Sequence, residues 1–169
     1  MTPAARYQAA IEVFDTILAG QPSEKALTNW ARSHRFAGSK DRAAVRDIVF
    51  DGLRRRDSAM AAGGATTGRG LVMGLLRLDG LDLASVFSGE GHAPLPLSSD
   101  ELTTPLLTEE LLDIPGWLEE VFTRSLGAAA PAAIAALRHR APITLRVNSA
   151  RMRRARIPPI KNQANEVAK

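Results

Sequence analysis

From the start of the chain to about residue 140 the apolar residues recur at three- and four-residue spacing, and only beyond that point does the period change. Tyr7, Ile11, Phe14 and Leu18 open the pattern, flanked by Ala10, Val13 and Ile17, with Gly20 where a helix would stop. Ser23 stands where it could cap a second helix burying Ala26, Leu27, Trp30 and Ala31 and running to about Arg35. Ser39 then opens "SKDRAAVRDIVFDGLRRR", residues 39–56, whose Ala44, Val45, Ile48, Val49, Gly52 and Leu53 form a broad apolar stripe with arginines outside it. Stripes at this period are buried by packing helix on helix, so the expected fold class is all-α, a helical bundle.

The rest of the helical region follows the same rule. "AAGGATTGRG" reads as a glycine-rich loop leading into a helix with Leu71, Val72, Leu75 and Leu76 that stops near Asp79 and Gly80. A short helix holds Leu83, Val86 and Phe87, "SGEGHAPLPL" is a surface loop, and Ser98 and Glu101 have the spacing of a capping box. "IPGWLEEVFTRSLG" restarts a helix with Trp117, Leu118, Val121, Phe122 and Leu126 expected to face inward, and "PAAIAALRHR" is another. In "PITLRVN", Ile143, Leu145 and Val147 alternate with polar residues at the two-residue period of a half-buried strand. No partner strand follows, because "SARMRRARIPPIKNQANEVAK" is basic and interrupted by proline. The expected organisation is therefore a helical domain over 1–112, linker helices over 113–140, and over 141–169 the first strand of an incomplete α+β subdomain with a basic, disordered tail.

A hydrophobic content of 45% suits a folded domain with a core. Cysteine is absent, which removes disulfides, thiolate metal sites and cysteine nucleophiles from consideration. Arg6, Glu12 and Asp15 break up the N-terminal apolar residues, and no apolar run is long enough to span a membrane, so a cytoplasmic protein without membrane contact is expected. The net charge of +4 is unevenly spread. Residues 32–56 carry 8 basic and 3 acidic side chains, residues 57–139 carry 4 and 11, and residues 140–169 carry 8 and 1. Segregation of this kind points to a polyanionic partner more strongly than the overall charge does.

Other chemistry finds less support. "GGATTGRG" resembles a phosphate-binding loop in its glycines, but it lacks the Gly-Lys-Ser/Thr ending and no hydrophobic strand precedes it. His34, His92 and His139 have no second ligand at zinc-motif spacing, so no metal is expected. Glu109/Glu110 and Glu119/Glu120 read as solvated helix faces, and Trp30 and Trp117 as core residues in preference to base-stacking platforms. The arginines remain. Arg42, Arg46, Arg54, Arg55 and Arg56, with Arg32, Arg35 and Lys40, could line a phosphate-contacting face, while Asp41, Asp47, Asp51 and Asp57 could equally pair with them at the surface.

These residues carry a resemblance. "SKDRAAVRDIVFDGLRRR" resembles the signature helix of the N-terminal domain of the RsmB/Sun (Fmu) family of ribosomal RNA cytosine-5 methyltransferases, a domain similar to the antitermination factor NusB. The matching features are Asp41-Arg42, Val45, Ile48, Val49, Leu53, Gly52 and Arg54. "AARYQAAIEVFDTIL" is similar to the first helix of that domain, with Arg6 and Ala9 in place. "IPGWLEEVFTRSLG" is similar to its joining helix, and "ALRHRAPITLRVNS" to the entry strand of the RNA-recognition-like subdomain that follows. The resemblance covers about residues 4–148 and implies a NusB-like bundle that assists RNA recognition, ahead of a catalytic domain that uses S-adenosylmethionine and a cysteine.

This chain has neither that cysteine nor a glycine-rich cofactor-binding strand-turn-helix, so no enzymatic activity and no cofactor are expected of it alone. From about Ser149 it leaves the family pattern, which suggests a truncated or frame-shifted product. The expected function is an RNA-binding accessory domain, with small-subunit ribosomal RNA as partner and Arg6, Lys40, Arg42, Arg46, Arg54, Arg55 and Arg56 as contact residues. The alternatives are a structural or protein-interaction bundle whose arginines pair with aspartates, and a free-standing NusB-type regulator.

Overall fold

In a computed structural model of the chain, the structure describes residues 1–103, 111–142, 146, 148 and 150. The described residues form helices α1 (Pro3–Leu18), α2 (Ser23–Ser33), α3 (Ser39–Arg54), α4 (Arg56–Gly63), α5 (Gly68–Leu78), α6 (Leu83–Val86), α7 (Ser99–Thr103), α8 (Gly116–Leu126) and α9 (Ala130–Leu137), with a 3₁₀ turn at Gly127–Ala129. The fold is an all-α bundle, with no strand among the described residues. Residues 1–139 form one compact unit and 140–169 a second. In the second, the Asn148 side chain accepts from the Ala150 amide at 3.1 Å, a local turn of the kind asparagine favours. The expected strand at Ile143, Leu145 and Val147, and the basic tail beyond Ala150, lie outside the described residues.

Helix α1 is the centre of the bundle and meets α2, α3, α5 and α6. Its Ala10, Val13 and Phe14 are fully buried, against Val45 and Val49 of α3 and Leu71, Val72, Met73 and Leu76 of α5 in one continuous core. Leu27 and Trp30 of α2 complete one side, and Val86 and Phe87 of α6 and its exit complete another. The Thr2 hydroxyl accepts from the Ala5 amide at 3.2 Å, capping α1, and Gly20 follows the helix with φ of 99°, a conformation that glycine adopts without strain.

The closest approach in the bundle is between α4 and α5. A Cβ placed on Gly74 would run into the Ala59 carbonyl oxygen, and one on Gly63 into the Gly70 carbonyl oxygen. With side chains reduced to hydrogen, the two helices meet backbone to backbone. A third approach joins α5 to α1, where Gly68 lies against the Ile11 carbonyl and donates its amide to Asp15 Oδ1 at 2.7 Å. Asp15 thereby occupies the positive N-terminal end of α5, alongside the Thr67 hydroxyl, which accepts from the Gly70 amide at 3.1 Å. The N-terminus that suggested an anion-binding loop is thus satisfied from within the chain.

Helix α4 has no cap of its own: Arg55 stands at its N-cap and makes no side-chain cap bond. Asp113, 55 residues away, supplies one, its Oδ1 accepting from the Ser58 amide and its Oδ2 from the Ser58 hydroxyl, both at 2.8 Å. Arg138 Nε lies 3.0 Å from Oδ2, and the Asp113 side chain is only 1% exposed. A buried carboxylate at a helix N-terminus, paired with a guanidinium, is compensated on both sides. Asp113 itself has φ of 56°, the left-handed region that Asp and Asn tolerate better than most residues. This cluster fastens the segment leading into α8, and the end of α9, to the bundle.

Several boundaries differ from the sequence reading. The stretch 39–56 is not one helix: α3 ends at Arg54 and α4 starts at Arg56, because the chain must turn at Arg55 to lay Ala59 and Gly63 against α5. The glycine-rich loop shrinks to residues 64–67, since its flanking glycines are helical contact points. Ser23 and Ser39 are first helical residues, not caps, behind Pro22 and Gly38. Helix α2 ends at Ser33, two residues early, where His34 Nδ1 lies 2.9 Å from the Trp30 carbonyl and closes the last turn. The largest difference is α8, which buries no residue: Trp117 is 67% exposed, and Val121 and Leu126 are exposed too. Periodicity identifies an apolar face without identifying what covers it. Trp30, by contrast, is a core residue as expected.

Two predictions follow from this packing. Gly74→Ala should destabilise the protein by about 2–3 kcal/mol in thermal or urea unfolding, because the methyl group must force two backbones apart, whereas Gly116→Ala, where a Cβ meets nothing within 4 Å, should be neutral or slightly stabilising. Asp113→Asn keeps the left-handed tolerance but removes the charge that Arg138 faces. A loss of about 3 kcal/mol is expected, and a melting temperature equal to that of the unsubstituted protein would contradict the capping role.

Candidate nucleic-acid interface

The arginines divide by what surrounds them. Arg6, on α1, is half-buried, with Nε and Nη2 at 3.0 and 2.9 Å from Asp41 Oδ1, and the Met1 ammonium reaches Asp41 Oδ2 at 3.2 Å. Desolvation works to raise the Asp41 pKa, but the hydrogen bonds from the ammonium and Arg6 prevail and hold it below the usual carboxylate value. Arg54 pairs with Asp51 at 3.4 Å. Arg55 is clamped between Asp51 and Asp79, with Nη1 at 2.7 Å from Asp79 Oδ1, and so ties the end of α3 to the end of α5. Burial opposes the Arg55 charge, yet the two carboxylates outweigh it and keep the group cationic. Tyr7 titrates above its ordinary value, through burial first and then through Asp79 and Asp51.

Arg69 and Arg77, within the acidic stretch 57–139, have structural work as well. Arg69 donates from Nε and Nη2 to the two carboxylate oxygens of Glu101, at 2.6 and 3.0 Å, and to the carbonyls of Leu95 and Pro96 at 3.0 Å each. Its guanidinium sits 4.6 Å from the centre of the Phe87 ring. Glu101 also closes the expected capping box, accepting from the Ser98 amide at 2.8 Å while its own amide donates to the Ser98 hydroxyl at 3.3 Å. Arg77 donates to the Ala62 carbonyl at 2.6 Å, satisfying an end-of-helix acceptor of α4, and to the Glu101 carbonyl. Apart from the capping box, these partners lie 15 to 32 residues from their arginines, too far for any local sequence pattern to announce.

Within residues 32–56, what remains on the surface is Lys40, Arg42, Arg46 and Arg56, together with Arg32 and Arg35, all exposed. Arg42 and Arg46 are four residues apart on α3 and so lie on one face of it. Lys40 lies roughly 160° around the helix from Arg42 and belongs to a different side. Of the seven contact residues expected from the sequence, then, Lys40, Arg42, Arg46 and Arg56 are presented to solvent, while Arg6, Arg54 and Arg55 are ion-paired to aspartates within the fold. No helix among the described residues is long and apolar enough to cross a membrane, and no group of three His, Cys, Asp or Glu among them is placed to hold a metal ion.

Comparison of the chain with protein families, curated proteins and solved structures finds no significant match.

The Arg69–Glu101 pair sets an acid limit on stability. The hydrogen bond from Arg69, opposed by desolvation and reinforced by Ser98, holds the Glu101 carboxyl at about 2 against an ordinary 4.5. A folded-state pKa below the unfolded one stabilises above the unfolded value, and that stabilisation is lost as pH falls through the folded value. Glu101→Gln should therefore lower the melting temperature at pH 7, and the deficit should shrink between pH 4.5 and pH 2. A deficit independent of pH would assign the loss to packing.

Proposed function

We propose that this chain is an RNA-binding accessory domain, of the NusB-like kind found in RsmB/Sun-type ribosomal RNA cytosine-5 methyltransferases. Its role is to hold ribosomal RNA by the backbone and position it for a catalytic domain that supplies S-adenosylmethionine and the nucleophile. The observation that carries this reading is the Arg42–Arg46 pair. On a helix whose Val45, Val49 and Gly52 are buried, these two guanidiniums project into solvent from one face, in the most basic part of the 1–139 unit. Long cationic side chains in that position suit phosphate oxygens, and contacts of this type give affinity with little sequence selectivity. Arg56 and Arg35 extend the exposed basic set beyond α3. Arg6, Arg54 and Arg55 are assigned to stability and leave the contact set, because moving them to phosphate would strand Asp41, Asp51 and Asp79.

A second reading, a protein-interaction bundle, draws on α8. Trp117 and Val121, four residues apart on that helix, present an apolar surface, which suits a partner better than water does.

The test is fluorescence anisotropy with small-subunit ribosomal RNA fragments, using the full chain and a chain ending at His139, which lacks the strongly basic residues 140–169. Binding by the shorter chain should fall steeply with salt. Arg42→Glu with Arg46→Glu should weaken it by about tenfold or more and reduce the salt slope by about 2. The fold should survive, since both positions are exposed. Unchanged affinity in the double variant would remove α3 from the RNA interface and leave the interaction reading.

A further inference from the structure

A cavity of about 800 Å³ opens between the first turns of α1, the end of α2 with the residues after it, and the loop at residues 90–95, and neither Arg42 nor Arg46 lines it. One wall is aromatic. Trp30 and His34 are stacked at 4.9 Å with planes 18° apart, and Phe36 meets His34 edge-on at 5.6 Å. Phe36 is 72% exposed, so its ring adds to this wall and contributes little to the core. The other polar groups on its lining include two carboxylates, along with Thr2, Gln8, His92 and Met1, whose ammonium is already paired with Asp41. Glu12 and Glu90 both line the cavity. Glu12 Oε1 accepts from Gln8 Nε2 at 3.2 Å, which leaves Oε2 facing His34 Nε2 at 3.9 Å. His34 Nδ1 is 2.9 Å from the Trp30 carbonyl, which can only accept, so the neutral ring carries its proton on Nδ1 and presents a lone pair at Nε2. With the ring neutral, two acceptors thus stand side by side; a protonated ring would pair with Glu12 instead.

From this arrangement we infer that the cavity is a binding site for a guanidinium group, carried by a partner's arginine side chain or by a small guanidine. A guanidinium is planar, so it stacks on the aromatic wall, and it carries a fork of N–H donors that can span Glu12 Oε2 and His34 Nε2 at once. An ammonium has the charge without the plane or the fork. Phosphate-bearing ligands are disfavoured by the two carboxylates. Glu90 belongs to a fixed turn, in which the Gly89 amide donates to the Pro94 carbonyl and the Ala93 amide to the Glu90 carbonyl, each at 2.9 Å, and Arg69 holds the far end of the loop. The site is therefore largely formed before the ligand arrives. It stands independently of the RNA reading.

The experiment uses the full chain with Trp117→Phe, which leaves Trp30 as the single indole, since the sequence has two tryptophans. Agmatine and the peptide acetyl-Gly-Arg-Gly-amide are titrated while Trp30 fluorescence is followed, with guanosine in a parallel titration. A saturable change with agmatine or the peptide is expected. Glu12→Gln with Glu90→Gln should weaken it about tenfold, and Phe36→Ala about fivefold. All three residues are exposed, and an unchanged circular dichroism spectrum checks the fold. Tighter binding of the peptide than of agmatine identifies a protein arginine as the source, and the reverse a small guanidine. No saturable response to either cation, a response that survives both sets of substitutions, or saturation by guanosine alone overturns the inference.

Discussion

The backbone contact between α4 and α5 is the constraint on which the other features depend. Ala59 and Gly63 on one helix and Gly70 and Gly74 on the other bring main chain against main chain, a separation that no side chain larger than hydrogen permits at the glycine positions. That closeness requires the chain to break after α3 and reverse, which places Arg55 at the junction. There it is held by Asp51 from the helix just completed and by Asp79 from the far end of α5. It also leaves α4 starting without a cap of its own, and the carboxylate of Asp113 meets that need from a remote segment. Dispersion and exclusion of water act over the whole core, but the direction in which the helices run follows from this one approach.

The basic residues illustrate how a single side-chain type is divided by geometry. An arginine at the end of a helix, near carboxylates or backbone carbonyls of another element, becomes a tie: Arg55, Arg69, Arg77 and Arg138 each join parts of the chain far apart in sequence. An arginine in the middle of an exposed helix face, such as Arg42 or Arg46, has no such neighbour along its own face and projects outward. Charge counted along the sequence treats both kinds alike. The useful distinction is the electrostatic one: a paired, half-buried guanidinium must give up its carboxylate before it can meet a phosphate, and a solvated one need not.

The same physical distinction separates the two apolar helix faces that the sequence presents in similar form. The stripe on α3 is covered by α1 and α5, and Val45 and Val49 are fully buried. The stripe on α8, with Trp117 at its start, remains open. Similar periodicity thus led to burial in one case and exposure in the other, because covering a face depends on a second element arriving at the right place. The aromatic groups at the end of α2 fall between these cases, with Trp30 in the core and Phe36 on the surface six residues later.

What the sequence by itself determined is the class of structure and its local signals. Apolar spacing specified helices α1, α2, α3, α5 and α8 and the burial of Trp30, and residue chemistry specified the capping box of Ser98 and Glu101, since both depend on neighbours within a few positions. Segregated charge likewise located the basic region from Arg32 to Arg56. Tertiary structure alone decided where α3 gives way to α4, which glycines are loop and which are contact points, and which arginines of the basic region face solvent. It also brought Asp113 to Ser58, and Glu12 and Phe36 to one cavity. These outcomes depend on pairs of residues many positions apart, and a helical period of 3.6 residues contains no information about what the next helix will place against it.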